Sequence, residues 1–197
     1  IGSAFLVFGI LFYIIFNHYF EYFYAWSHSS KELPFKYLLS CFWEGQEGSF
    51  LLWTIWHCIL SLFIINRNSK WVAPVMAIVA LAQVFLASTL LGIHLGDLKI
   101  GATPFMLLRD QMAGAPIFQQ PNYLNLITDG NRLNPLLQNY WMLIHPPTLF
   151  LGFASTVVPF AFVIAGVMQG KFTEWIRPAS VWMIFSVAIL GVGIIMG

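Results

Sequence analysis

The sequence predicts an all-α protein, a polytopic bundle of transmembrane helices with about five spans and long outward-facing loops. Of its 197 residues, 59% are hydrophobic and only 9% are charged, whereas soluble domains carry roughly 25% charged residues. The apolar residues are concentrated in runs near the ~20 residues that a helix needs to cross the hydrocarbon core. Helices satisfy their own backbone hydrogen bonds, so they are the form in which such runs cross a membrane.

Five segments have this length and composition. Pro74 and Gln83 interrupt the third segment only slightly. The fourth follows Pro146 and Pro147, whose fixed φ angles fit the first turn of a helix. The predicted spans are 1–20, 48–66, 72–93, 148–169 and 178–197.

The connections between these spans differ in charge. The two short connections hold four basic residues and one acidic residue. The two long connections, 21–47 and 94–147, hold five basic and seven acidic residues. Short basic loops remain on the cytoplasmic side of a membrane. The two long loops are therefore predicted to face outward, where loops of this length are often functional.

Several classes of protein are excluded or disfavoured. The net charge is +1 and there is no basic run, so nothing indicates nucleic-acid binding. Cys41 and Cys58 are expected to remain unpaired, and without a Cys-x-x-Cys-His motif the chain is not itself a c-type cytochrome. No P-loop, Rossmann fingerprint or zinc-protease motif occurs. The chain begins without methionine and ends at Gly197 within an apolar run, which favours a fragment of a longer protein.

A histidine lies directly before the two prolines. Pro146 favours an extended backbone at His145, so the imidazole should be held rigidly at the outer membrane surface. Histidine nitrogen is a good axial ligand for haem iron, and it can also transfer protons. A purely interfacial histidine, hydrogen-bonded to a neighbouring loop, fits the residue as well. The residue pattern alone leaves these readings open.

The other histidines favour structural roles. His57 lies near the middle of a predicted span, and its neutral ring is expected to hydrogen-bond another span, with Gln83 at similar depth. A relay of His57, Gln83 and His94 would instead make the chain a membrane redox or proton-transfer subunit. His18, His28 and His94 are expected to be interfacial.

The segment 43–49 (WEGQEGS) opens the second span. Its two carboxylates complement the dipole at a helix N-terminus, and its two glycines allow a close approach or a turn. This predicts a capped helix start packed against a loop, with a cation or acid–base site as the alternative. A helical face follows that could line an apolar cofactor site or pack against helices or lipid. Its members are Ser49, Trp53, Trp56 and Leu60.

Three stretches resemble the cytochrome c maturation protein F (CcmF) family of haem lyase subunits. Residues 43–53 (WEGQEGSFLLW) resemble W-G-x-H-E-G-S-L-L-L-W. Residues 129–138 (DGNRLNPLLQ) and 144–153 (IHPPTLFLGF) resemble D/E-G-x-x-L-N-P-L-L-Q and H-P-P-x-L-Y-x-G-Y. The order matches the family, with two spans between the blocks, and the resemblance covers roughly 20–197. Gln46 stands where the family has histidine, so no role is transferred to it.

The resemblance implies that 1–197 is the N-terminal part of a cytochrome c assembly (haem-handling) membrane domain, with the family's tryptophan-rich WWD segment expected beyond Gly197. It implies that His145 is an axial ligand of haem b iron on the periplasmic side of the inner (cytoplasmic) membrane. The family's other haem-ligating histidines would follow Gly197. The insertion around 101–121 has no assigned role.

The function implied is cytochrome c biogenesis. Haem is positioned for covalent attachment to apocytochrome c, together with the haem chaperone CcmE and the apocytochrome-binding subunit CcmH. The chain would then be a subunit of a haem lyase complex, with no catalytic acid or nucleophile assigned to it. The alternatives are a haem exporter of the CcsA or CcmC type, the redox or proton-transfer subunit described above, and a purely structural assembly subunit.

Overall fold

Five apolar helices form the body of the protein, and the all-α prediction is confirmed. The computed structural model describes residues 1–67, 69–96 and 98–197, and the side chain of His94 lies outside the described part. The five helices are α1 (Gly2–Phe16), α4 (Gln46–Asn66), α5 (Val72–Thr89), α8 (Tyr140–Met168) and α9 (Ile176–Met196).

Four of these helices, α4, α5, α8 and α9, are long and apolar enough to cross a membrane, which makes the chain a multi-pass membrane protein. Helix α1 is apolar but has 15 residues, fewer than the ~20 of a straight span. The remaining elements belong to the two long connections. They are the helices α2 (Phe23–His28), α3 (Phe35–Glu44), α6 (Leu108–Gln111) and α7 (Tyr123–Leu126), two short 3₁₀ helices (Pro116–Gln119 and Pro135–Leu137), and an antiparallel hairpin of β1 (Ile93–Leu95) and β2 (Leu98–Ile100).

The two long connections fold together at one end of the bundle, which we call the loop end. Tyr22 and Leu107 form an isolated antiparallel bridge. The N–H of Leu108 donates to the carbonyl of Glu21 at 2.8 Å. The two short connections meet at the opposite end, where Lys70 and Glu174 form an ion pair. Loops predicted to share one side of the membrane therefore lie at the same end of the bundle.

The predicted end of the third span, at residue 93, is wrong. Helix α5 ends at Thr89, whose carbonyl accepts the N–H of Ala102 at 2.9 Å. Gly92 then adopts a φ of +59°, a left-handed conformation that favours glycine. This turn directs the chain into β1, so hydropathy overestimated the length of the helix.

The expectation that the double proline begins the fourth span is also wrong. Helix α8 begins at Tyr140, because the side chain of Asn139 caps it by accepting the N–H of Met142 at 3.1 Å. Pro146 and Pro147 lie inside the helix. His145 is consequently helical rather than extended.

Both cysteines are free, as expected, and both are buried. Cys41 belongs to the buried cluster beneath the loop end, together with Phe42, Leu51 and Leu133. Burial raises the pKa of the Cys41 thiol to about 12, so it is neutral at physiological pH.

Glycines set the close approach of α8 and α9. A Cβ added at Gly152 would lie 2.8 Å from the Cα of Leu190, and one added at Gly193 would lie 3.0 Å from the Cα of Leu149. Small residues allow helix backbones to approach within a membrane. The short distance between α8 and α9 therefore depends on Gly152 and Gly193 having no side chain.

We expect Gly152→Ala to destabilise the detergent-solubilised protein by about 1–3 kcal/mol, because the new methyl group overpacks the helix contact. The matched control is Gly191→Ala, whose Cβ would meet nothing within 4 Å and which should be neutral or stabilising by up to ~1 kcal/mol. Thermal unfolding measures both. Equal effects of the two substitutions would contradict the role of Gly152.

Candidate functional site

His145 is half-buried near the start of α8, with its ring against α9. Its Nδ1 lies 3.0 Å from the carbonyl oxygen of Gly193. A carbonyl only accepts hydrogen bonds, so Nδ1 carries the proton, and in the neutral ring Nε2 keeps its lone pair. Metal-ligating histidines are commonly held in this way, with the second ring N–H donated to a backbone carbonyl.

The far edge of the same ring borders on Gly197. A Cβ added there would lie 2.6 Å from Cε1 and 3.0 Å from Nε2 of His145. A side chain at position 197 would therefore press on the ring. Glycine leaves room for the imidazole in the position that the structure shows.

A bond from the 43–49 segment supports the helix beneath His145. Pro146 has no N–H, so the carbonyl of Met142, four residues earlier, lacks its partner within the helix. The Nε1–H of Trp43 donates to this carbonyl at 2.8 Å. Trp43 and Met142 are 99 residues apart in the sequence. Their hydrogen bond joins the 43–49 segment to α8 at the point where the prolines interrupt the hydrogen bonds of the helix. Transmembrane helices tolerate proline when neighbouring groups satisfy the freed backbone.

The 43–49 segment is itself fixed by α2. The hydroxyl of Tyr24 donates to the carbonyl of Phe42 at 2.7 Å and accepts the N–H of Gly45 at 3.1 Å. Nδ1 of His28 lies 3.0 Å from a carboxylate oxygen of Glu44. Burial raises the pKa of Tyr24 well above its ordinary value, so the hydroxyl remains protonated.

The two glycines of this segment are required by close packing. A Cβ at Gly45 would lie 2.6 Å from Nε2 of His28, and one at Gly48 would overlap the carbonyl of Phe42. The start of α4 packs closely against α2, as predicted for its contact with the loop, but the predicted side-chain cap is wrong: Gly45 is the N-cap residue, and no side-chain cap bond forms within the described residues. Within the described part of the chain, no group of three or more histidine, cysteine or acidic side chains could hold a metal ion.

The 129–138 segment fastens the two long connections to each other. A carboxylate oxygen of Asp129 accepts the N–H of Lys31 at 2.9 Å and that of Gly130 at 2.7 Å. Arg132 pairs with Glu32 at 3.2 Å in solvent. This segment is structural support for the loop end, and no side chain in it approaches His145 in the described contacts.

The predicted hydrogen bond between His57 and Gln83 is not formed. Gln83 Nε2 donates to the carbonyl of Thr54 at 3.0 Å and lies 3.7 Å from the sulfur of Cys58. His57 is buried, and its two ring nitrogens have no hydrogen-bond partner among the described residues. Similar depth in two helices does not fix how each is rotated about its axis. The side chain of His94, the third member of the proposed relay, lies outside the described residues.

Sequence reasoning missed the roles of Trp43 and Gly193. The proline at 146 signals that the carbonyl of Met142 needs an external partner. No local signal identifies a tryptophan 99 residues away as that partner. The contact of His145 with Gly193 likewise depends on the packing of two helices.

The fold and site define a multi-pass helical membrane protein with a backbone-oriented histidine at its loop end. The family described as Cytochrome C assembly protein matches residues 43–197, and the chain belongs to this family. This confirms the family indicated by the sequence motifs.

Curated relatives are similar to this chain over most or all of its length. The cytochrome c-type biogenesis protein CcmF of Pseudomonas fluorescens is 32% identical over 201 residues, covering 98% of this chain and 27% of the relative. CcmF of Haemophilus influenzae is 32% identical over 197 residues, covering 100% and 28%. CcmF of Escherichia coli K12 is 29% identical over 182 residues, covering 88% and 24%. The chain spans about a quarter of the length of these relatives. No solved structure matches the chain.

Trp43→Phe should destabilise the protein by about 1–3 kcal/mol, because it keeps an aromatic ring but leaves the carbonyl of Met142 unpaired. Thermal unfolding in detergent measures the effect. The matched control is Trp141→Phe at the same end, whose side chain is 55% exposed and which should change stability by no more than ~0.5 kcal/mol.

A double-mutant cycle tests the mechanism. Pro146→Ala restores an N–H at position 146 and so gives Met142 its helical partner. In that background, Trp43→Phe should cost about 1 kcal/mol less than in the wild type. The same cost in both backgrounds would show that Trp43 acts through packing alone.

Asp129→Ala should lower the stability of the loop end by about 1 kcal/mol at pH 7, because two N–H groups lose a charged acceptor. Slight burial raises the pKa of Asp129, but the N–H donors of Lys31 and Gly130 and the nearby positive charges together lower it. Its stabilisation is therefore complete above the unfolded pKa of ~3.9 and is lost as the pH falls through the lower folded value.

Thermal unfolding at pH 7 and at about pH 3 measures this dependence. The difference between wild type and Asp129→Ala should shrink on acidification. Asp110→Ala is the control, since the Asp110 carboxylate is 63% exposed and its ion pair is with the adjacent Arg109, at 3.6 Å. A difference that does not change with pH would contradict the role of the Asp129 charge.

Proposed function

We propose that the protein acts in cytochrome c biogenesis and that Nε2 of His145 ligates the iron of haem b at the loop end of the bundle. The observation that carries the proposal is the hydrogen bond from Nδ1 to the carbonyl of Gly193, which orients the ring and leaves Nε2 free. Membership of the cytochrome c assembly family supports haem as the molecule that is bound.

The surroundings of the ring suit such a ligand. Trp43 and the prolines stiffen the start of α8, so the ring has few conformations to lose when it binds iron. Tyr140 and Trp141 are exposed on the first turn of the same helix, where aromatic rings favour the membrane interface. The substrate supplies the iron and the vinyl groups that react with cysteine thiols, and this chain supplies a fixed nitrogen.

The loop end is proposed to face the periplasm, with the protein in the inner membrane. The opposite end carries the basic short connections, which favour the cytoplasmic side. In this orientation His145 is accessible to a haem chaperone such as CcmE and to a CcmH-type subunit that presents apocytochrome c. The chain is then the haem-positioning part of a haem lyase complex in the lipid bilayer.

The experiment compares His145→Ala with wild type in the full-length protein, purified in detergent with its haem-loaded chaperone. Removing the ligand should abolish or shift the visible spectrum of the bound haem, and added imidazole should restore it by occupying the vacated position. The matched control is His18→Asn, another loop-end histidine. It has a positive φ of 56°, which asparagine tolerates.

Loss of the haem spectrum in His145→Ala alone, with rescue by imidazole, supports ligation. An unchanged spectrum and unchanged capture of the chaperone would show that His145 is structural. Loss in both variants without rescue would indicate general damage to the loop end and would also count against ligation by His145.

A further inference from the structure

We propose that a groove between α4, α8 and α9, at the end of the bundle opposite His145, binds an anionic phospholipid. The site would place the lipid phosphate between Arg67 and Arg177 and an acyl chain along the apolar part of the groove. This goes beyond the proposed function and does not depend on haem ligation.

The groove consists of two adjoining cavities of about 440 and 370 Å³. They share Arg67, Val181 and Trp182 in their walls. Ligand pockets in proteins commonly measure ~300–1,000 Å³. Two cavities of this size that share a wall form one elongated site.

The lining of the groove changes from apolar to basic along its length, and it does so in the same direction on α4 and on α9. On α4 it runs from Trp56 to Arg67, and on α9 from Phe185 to Arg177. At 1.5 Å per helical residue, the stretch on α4 is about 16 Å long. This is close to half of the ~30 Å hydrocarbon core. An apolar channel one leaflet deep with cations at its outer rim matches the shape of a phospholipid.

Arg67 and Arg177 are the cations that line the rim of the groove. Within the described residues, no carboxylate lies within ion-pair distance of either guanidinium. Lys70 is instead paired with Glu174. Lys171 donates to the neutral side chain of Gln169 at 2.9 Å and lies over the ring of Trp71, and it does not line the groove. Guanidinium groups present several N–H donors in a fork that matches phosphate oxygens.

The groove opens sideways, where bilayer lipid would reach it. Phe63 is 60% exposed and Val181 is 59% exposed, and both line the groove. Trp71 and Trp182 lie in the wall beside the arginines, and tryptophan favours the level of lipid headgroups. A free phosphate would use only the arginines, whereas a phospholipid accounts for the apolar channel as well.

The test uses the full-length protein purified in detergent and titrated with phosphatidylglycerol or phosphatidylcholine, with bound lipid counted by native mass spectrometry. Wild type should bind phosphatidylglycerol more tightly than phosphatidylcholine. The double variant Arg67→Gln/Arg177→Gln should weaken phosphatidylglycerol binding about thirtyfold, from the known attraction per basic residue at an anionic lipid surface.

The matched control is Lys36→Gln/Lys99→Gln, which removes the same charge at the loop end, away from the groove, and should bind as wild type does. Val181→Trp, at an exposed position, should fill the apolar channel and reduce binding while both arginines remain. Binding in the arginine variant within twofold of wild type would overturn the proposal. Equal binding of phosphatidylglycerol and phosphatidylcholine by the wild type would also overturn it. Absence of specific lipid binding by the wild type would overturn it as well, and is the result expected if another part of the polypeptide fills the groove.

Discussion

The hydrogen bond from the indole of Trp43 to the carbonyl of Met142 is the contact on which the loop end depends. Pro146 removes the helical partner of that carbonyl, and a carbonyl left unpaired near the membrane would destabilise the helix. The indole supplies the missing donor. Since Tyr24 anchors the segment that carries Trp43, the position of His145 follows from a chain of contacts that begins in the first long connection.

The second constraint is the close contact between α8 and α9. Glycines on both helices remove the side chains that would separate the backbones. This proximity brings the ring of His145 to the carbonyl of Gly193 and thereby selects its tautomer. Helix packing therefore determines which nitrogen of His145 carries the proton and which keeps its lone pair.

The charged side chains at the two ends of the bundle differ in their partners. At the loop end, the carboxylates of Asp129 and Glu32 form bonds that join the two long connections. At the opposite end, Arg67 and Arg177 remain without carboxylate partners in the described contacts. One end is thus organised to hold a rigid site, and the other presents free positive charge beside an apolar groove.

The sequence by itself determined the helical class, the approximate position of the apolar helices and the family, because hydropathy and motif spacing are local properties of the chain. Element boundaries failed where a specific residue overrode the pattern, as Gly92 did at the end of α5 and Asn139 at the start of α8. Only the tertiary structure paired Trp43 with Met142 and directed Gln83 away from the expected histidine. Hydropathy gives the depth of a side chain in the membrane, whereas its partner depends on how each helix is rotated and packed.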